Sequence, residues 1–283
     1  MIIDFHTHIF PPEVRDKREN FFDGEPEFKT LYSIPGSRLS GIEELIRNMD
    51  EEEIDKSVVF GFPWHKEVYF KRNNDYIMEA VENFKERVIG FSTFHPLSRG
   101  AEGELERCLR SGFSGVGELA FYSSAMGKRA YNAFKPIAEM ALRFDVPILL
   151  HANEPIGHYY PGKAPMRVKE IYDLLRCFPE NRIILAHWGG GIFFYNLMKK
   201  ATKEALKNVW FDTAASPHLY DKVIYPISMK IMGTEKILFG SDFPLLKPGR
   251  YFKEMKEAGL SQGAKRKICG ENAASLLKVD TRF

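Results

Sequence analysis

Histidine is sparse in this chain, 8 of 283 residues, yet two of the eight stand one residue apart at the end of the opening apolar run, MIIDFHTHIF. Side chains alternate along a strand, so His6 and His8 point one way, Thr7 the other, and the two imidazoles can reach a single ion. Three later apolar runs also end in metal-binding residue types: His151 closes VPILLH, His187 closes NRIILAH and Asp242 closes EKILFGSD. A lone histidine at a strand end is more often a pocket or core residue than a ligand. Histidine at three separate strand ends is not what so rare a residue produces by chance. Glu118, in SGVGELA, adds a carboxylate near the end of a fourth run, where it either bridges two ions or serves as an ion-pair partner.

Imidazole and carboxylate donors suit a divalent cation, zinc first and then iron or manganese, as one ion or two. Water on such an ion deprotonates near pH ~7, which supplies hydroxide under neutral conditions. Asp242 can ligate the ion and also take up and return the proton of that water, whereas His187 can ligate, polarise a carbonyl or orient the nucleophile. The candidate metal ligands are therefore His6, His8, Glu118, His151, His187 and Asp242, with Asp242 and His187 the candidate catalytic residues.

Such a cluster needs a frame that brings strand ends together. Eight short apolar runs alternate with amphipathic stretches: MIIDFH, KSVVFGF, RVIGFSTF, SGVGELA, VPILLH, NRIILAH, NVWFDT and EKILFGSD. The intervening segments carry helical spacing, as in Ile42, Leu45, Ile46 and Met49, or Ile137, Met140, Ala141 and Phe144. Ser40, with Glu43 three residues on, predicts a capping box at the first of these. The last, SQGAKRKICGENAASLLK, would complete an outer ring. This pattern predicts an α/β fold, a (β/α)₈ TIM barrel in a single domain over residues 1–283. A doubly wound sheet is the alternative, but no Gly-rich phosphate turn follows the first run.

Two connections exceed the usual few residues, 9–39 and 152–166. On a barrel they would lie over the mouth and wall a pocket. Four further residues are candidate substrate contacts: Trp64 and His95 after the second and third runs, His158 in the second long connection, and Arg250 beyond the eighth run. His65 reads as structural, and His218 as neither ligand nor contact.

Composition narrows the partners. The chain is 44% apolar and 28% charged, with 40 basic residues against 38 acidic ones, as expected of a soluble globular protein. A formal charge of +2 offers no attraction to nucleic acid or membrane lipid, which leaves a small-molecule substrate. Three widely spaced cysteines, no long apolar stretch and a polar N-terminus imply a cytoplasmic location. Aromatics in NFFDGEPEF and GIFFYNLM suggest an exposed surface that pairs two copies as a homodimer.

Taken together, His6-Thr7-His8, the ordered His151 and His187, and FGSDFP at 239–244 resemble the amidohydrolase superfamily, in particular its amidohydrolase-2 branch, which includes aminocarboxymuconate-semialdehyde decarboxylase. The resemblance implies that His6, His8, His151 and Asp242 bind metal, with His187 a second-metal ligand or a catalytic residue. Glu118 departs from the one-metal pattern of that branch and resembles the strand-four glutamate of binuclear relatives. The leading expectation is a metal-dependent hydrolase acting on a small amide, ester or lactone. Nonoxidative decarboxylation of a small unsaturated or aromatic acid is the alternative, followed by phosphodiester hydrolysis and by a non-catalytic metal-binding barrel.

Overall fold

Every apolar run becomes a strand: β1 Ile3–His8, β2 Lys56–Phe60, β3 Val88–Ser92, β4 Gly115–Leu119, β5 Ile148–Leu150, β6 Ile183–Leu185, β7 Val209–Asp212 and β8 Ile237–Leu238. In the computed structural model, which describes residues 1–122 and 126–280, they pair in sequence order and all parallel. The expected span 1–283 thus includes two stretches, 123–125 and 281–283, that lie outside the described residues. The sheet closes on itself. Phe5 N donates to Phe239 O at 2.8 Å, His8 N to Phe243 O at 2.8 Å and Asp242 N to His6 O at 2.9 Å.

Near-continuous burial explains why these runs lack polar alternation: a parallel barrel is covered on both faces. Val59, Val116, Ile148, Ile183 and Val209 face the helices, whereas Ile3, Phe5, Val58, Phe91, Leu149, Ile184 and Leu238 fill the interior. Each such aliphatic side chain contributes about 1.5–3 kcal/mol by leaving water.

The outer layer comprises α1 Pro12–Asp16, α2 Pro26–Tyr32, α3 Ile42–Glu51, α4 Glu67–Asn83, α5 Ala101–Arg110, α6 Lys128–Arg143, α7 Val168–Cys177, α8 Lys200–Ala205, α9 Ser216–Leu219, α10 Ile224–Met232 and α11 Pro248–Glu257. The chain ends in α12 Gln262–Arg266, a π turn Lys267–Glu271 and α13 Asn272–Leu277. Ser261 caps α12 by accepting from Ala264 N at 3.2 Å. Ala273, Ala274 and Leu276 of α13 then pack on the interior residues of the strands.

The capping box at Ser40 does not form. Gly41 is the N-cap of α3, the Ile42 N–H donates to the Tyr76 hydroxyl at 2.9 Å, and the Ser40 carbonyl accepts from Phe10 N at 2.9 Å. Ser40 is thereby held outside the first turn.

Connection 9–39 is largely helical, containing α1, α2 and a 3₁₀ turn Arg18–Phe21. Its aromatics point inward: Phe21 and Phe28 are buried, correcting the expectation that NFFDGEPEF presents an exposed aromatic surface. Connection 152–166 is irregular, and Asn153 spans it by donating to Ala164 O and accepting from Ala164 N, at 3.2 and 2.8 Å. No helix among the described residues is long and apolar enough to cross a membrane.

Candidate metal centre

At the C-terminal ends of the strands six side chains converge. His6 and His8 face the same way, their Nε2 atoms 3.3 Å apart. Asp242 Oδ1 lies 3.6 Å from His6 Nε2 and 3.5 Å from His8 Nε2. Glu118 sits on the other side, its carboxylate oxygens 3.9 Å from His6 Nε2, 4.0 Å from His8 Nε2 and 3.6 Å from His187 Nε2. His151 Nδ1 is 2.9 Å from Glu118 Oε1.

The imidazoles are held from behind. His8 Nδ1 donates to Gly61 O and His187 Nδ1 to Ala214 O, both at 3.0 Å. A carbonyl only accepts, so the proton must sit on Nδ1, and each Nε2 is turned to the site. His187 begins a run of five left-handed residues, φ 53° there, then 59°, 62°, 60° and 88° through Trp188, Gly189, Gly190 and Gly191. This conformation costs residues with a Cβ roughly 1–2 kcal/mol each, which is why glycine fills most of it. Trp188 is anchored by its indole N–H, which donates to Ser216 Oγ at 2.9 Å.

Charge makes the cluster a cation site. Burial pulls the His6 imidazolium down, but Asp212, Glu118 and Asp242 outweigh it and raise its pKa to about 10. His187 follows the same pattern, with burial opposed by Glu118 and Asp242, and reaches about 9. Burial likewise penalises the Glu118 and Asp242 carboxylates, yet the surrounding histidines hold both well below the usual range. These carboxylates therefore call for positive charge at their centre, from protons or from a metal.

The residues fit a divalent ion. Donors around a tetrahedral ion with bonds of ~2.1 Å lie about 3.4 Å apart, and the His6, His8 and Asp242 separations are 3.3, 3.5 and 3.6 Å. His151 Nε2 is buried and has no hydrogen-bond partner among the described residues, as expected of a nitrogen awaiting a ligand. Glu118, His151 and His187 form a second triad whose donor atoms lie within 4.8 Å of one another.

A cavity of about 580 Å³ opens above the cluster, with His8, Glu118, His151, His187 and Asp242 in its wall. The rest of that wall is mostly apolar and aromatic, including Tyr32, Phe62, Tyr122 and Tyr160. Phe62 and Tyr122 lie nearly parallel, 8° between planes and 6.1 Å between centroids, and Tyr122 leans on His151 at 4.8 Å. Residues Leu31, Tyr32 and Gly36–Arg38 of the first long connection and Tyr160–Gly162 of the second also line it.

The four candidate substrate contacts lie elsewhere. Trp64 is fully buried in an aromatic cluster, 4.2 Å from Phe28, and its indole N–H donates to Asn73 Oδ1 at 3.1 Å. His95 is buried and stacked on His65 at 3.9 Å. His158 is exposed and gives its carbonyl to Lys163, while Arg250 is exposed on α11 and donates to Pro217 O at 2.9 Å. None of the four is among the residues lining the cavity. His218, expected to do nothing, does line it.

Sequence reasoning missed Arg38, Tyr32, Tyr122 and Phe62 in the cavity wall, and Asp212 behind the cluster. Asp212 carried a readable signal, since it ends the seventh run as Asp242 ends the eighth. Nothing local marked the others.

An amidohydrolase family model matches residues 3–279. The gamma-resorcylate decarboxylase of Rhodococcus jostii (strain RHA1) is 23% identical over 336 residues, covering 98% of this chain and 98% of that protein. Among solved structures, 5-carboxyvanillate decarboxylase from Sphingomonas paucimobilis superposes with a TM-score of 0.79 at 17% identity, covering 99% of both chains. Dihydroxybenzoic acid decarboxylase from Polaromonas sp. JS666, solved with manganese and the inhibitor 2-nitroresorcinol, gives a TM-score of 0.72 at 19% identity over 99% of this chain and 98% of that one. These relatives overturn the leading expectation of a hydrolase: all three carry decarboxylase names, the chemistry that ranked second in the sequence.

Proposed function

The chain belongs to the amidohydrolase family, and from that premise we propose that it is a metal-dependent nonoxidative decarboxylase of a small aromatic or unsaturated carboxylic acid. The observation that carries this reading is the flat aromatic wall beside the donor cluster, where Tyr122 stands between Phe62 and His151. A cavity of about 580 Å³ suits a substrate of one substituted ring. The decarboxylase names of the relatives support the same class.

His6, His8 and Asp242 would hold the ion, with Glu118 and His151 offering the remaining donors. Manganese is the first ion to try and zinc the second, because a structural neighbour was solved with manganese. When bound, the ion supplies positive charge that anchors an anionic substrate and offsets the buried carboxylates.

Loss of carbon dioxide from a ring requires a proton at the carbon that carries the carboxylate. His187 is suited to hold it: its Nδ1 is committed to Ala214 O, and its Nε2 faces the cavity 3.6 Å from a Glu118 oxygen. Asp242, beside the same space, is the other group able to move that proton. Burial and the neighbouring carboxylates raise the Tyr32 and Tyr122 phenols, so both remain neutral donors for a ring hydroxyl or carboxylate. Arg38, in the cavity wall and without an ion-pair partner among the described residues, would bind the substrate carboxylate. The apolar wall excludes water from the ring carbon.

Phe194, Leu197 and Met198, each more than half exposed, offer an apolar surface for a second copy of the chain. A reducing, cytoplasmic setting suits the free thiols of Cys108, Cys177 and Cys269. Carbon dioxide release from hydroxylated benzoates by the manganese-loaded protein tests the proposal.

A further inference from the structure

Asp212, at the end of β7, is fully buried and touches two different parts of the site at once. One oxygen, Oδ2, lies 2.8 Å from His6 Nδ1. The other, Oδ1, accepts from the backbone N–H of His187 at 2.9 Å and of Ala214 at 3.0 Å. One carboxylate therefore fixes a ring on β1, the first residue of the left-handed run after β6, and the backbone that accepts from His187 Nδ1.

We propose that Asp212 is the positioning residue of this centre: it sets the tautomer of His6, so that the Nε2 lone pair faces the ion, and it locks the turn that aims His187. A carboxylate has only acceptors, so His6 Nδ1 must carry the proton and Nε2 is left free to ligate. His8 and His187 obtain the same tautomer from backbone carbonyls, which no substitution removes; His6 depends on a side chain.

The dependence makes Asp212→Asn informative. Its amide oxygen must face the two backbone N–H donors, so its NH₂ faces His6 Nδ1, which is then required to accept. The His6 proton moves to Nε2, in the way of the metal. The variant keeps the size of the side chain and both backbone hydrogen bonds, and loses the tautomer.

The inference rests on the metal site proposed above, and the test separates the two. Manganese and zinc are titrated into metal-depleted wild type and Asp212→Asn, with unfolding temperature recorded, and the His6 ring protons are located by ¹⁵N NMR in the zinc-loaded wild type. The expected result is a folded variant with metal affinity lowered roughly 10- to 100-fold and, in the wild type, a His6 proton on Nδ1. Equal affinity in both proteins, or a fall in unfolding temperature with affinity unchanged, would overturn the positioning role. If the variant does not fold, the wild-type spectrum decides, because a proton on His6 Nε2 contradicts the assignment. Failure of wild type to bind either ion instead refutes the metal site itself.

Discussion

His8 Nε2 and Asp242 Oδ1 lie 3.5 Å apart, although one belongs to the first strand and the other to the turn that follows the last. The contact exists because the barrel closes: His8 N donates to Phe243 O and Asp242 N to His6 O, so sheet pairing and donor geometry are one arrangement. A metal centre placed on this seam is built by the hydrogen bonds that complete the fold.

Replacing Asp242 with Asn keeps its shape and removes its charge from beside His6 and His8. The barrel should remain folded, because the closing bonds at this position are made by backbone. Turnover should fall by about 10²–10⁴-fold, measured as initial rate on whichever acid the wild type decarboxylates. A variant within threefold of wild type would remove Asp242 from the chemistry.

Arg38 lines the cavity with no carboxylate partner among the described residues. If it binds the substrate carboxylate, Arg38→Met should raise KM roughly 10- to 100-fold with kcat little changed, the cost of one charge-assisted hydrogen bond of about 1.5–3 kcal/mol. Steady-state kinetics decide it, and an unchanged KM would place the carboxylate elsewhere.

Gly190 sits at φ +60°, and a methyl group there would lie 2.2 Å from the Asn153 carbonyl oxygen. Gly190→Ala therefore combines a left-handed penalty of about 1–2 kcal/mol with a backbone clash. Urea unfolding should show a loss of at least ~2 kcal/mol together with lower turnover, because the turn carries His187. Gly191, at φ +88°, has nothing within 4 Å of an added Cβ, so Gly191→Ala should cost only the conformational part.

Burial, followed by the neighbouring charge of His65, lowers His95 from 6.5 to about 4. Its folded pKa lies below its unfolded one, so the unfolded chain binds the extra proton between these values and stability is lost as pH falls from 6.5 towards 4. For one group this amounts to about 3 kcal/mol. His65, raised mainly by its bond to Glu27 at 2.8 Å, has the opposite sign: its contribution is complete below 6.5 and disappears as pH rises through its folded value. Between pH 4 and 7 the unfolding free energy should rise less steeply with pH in His95→Phe than in wild type. Parallel curves would show that His95 titrates as an exposed histidine does.

How far these features could be read in advance differs by element. The strands were legible because a parallel barrel buries both faces, leaving runs such as VPILLH without polar alternation. The donor residues were legible because strand ends of such a barrel share one rim, so His151, His187 and Asp242 needed only their position in a run. The cavity wall was not. Tyr32 and Arg38 reach it only through the helical packing of residues 12–32, where the Phe28 ring lies tilted against Trp64 with centroids 4.2 Å apart, and that packing also turned Trp64 from a pocket candidate into core. The capping box at Ser40 failed for a similar reason, since Tyr76 from another helix had taken the Ile42 N–H. Hydrolysis and decarboxylation use the same donor frame, so the residues that suggested chemistry could not choose between them.

The most direct test of the central claim is carbon dioxide release. Protein loaded with manganese and freed of excess ion is incubated with hydroxylated benzoates, including gamma-resorcylate, and with amide, ester and lactone substrates, following carbon dioxide and organic products together. Carbon dioxide should appear in equal amount to a decarboxylated phenol from at least one acid, abolished by chelation and restored by manganese. Hydrolysis of an amide, ester or lactone by the metal-loaded protein, with no carbon dioxide from any acid, would contradict it.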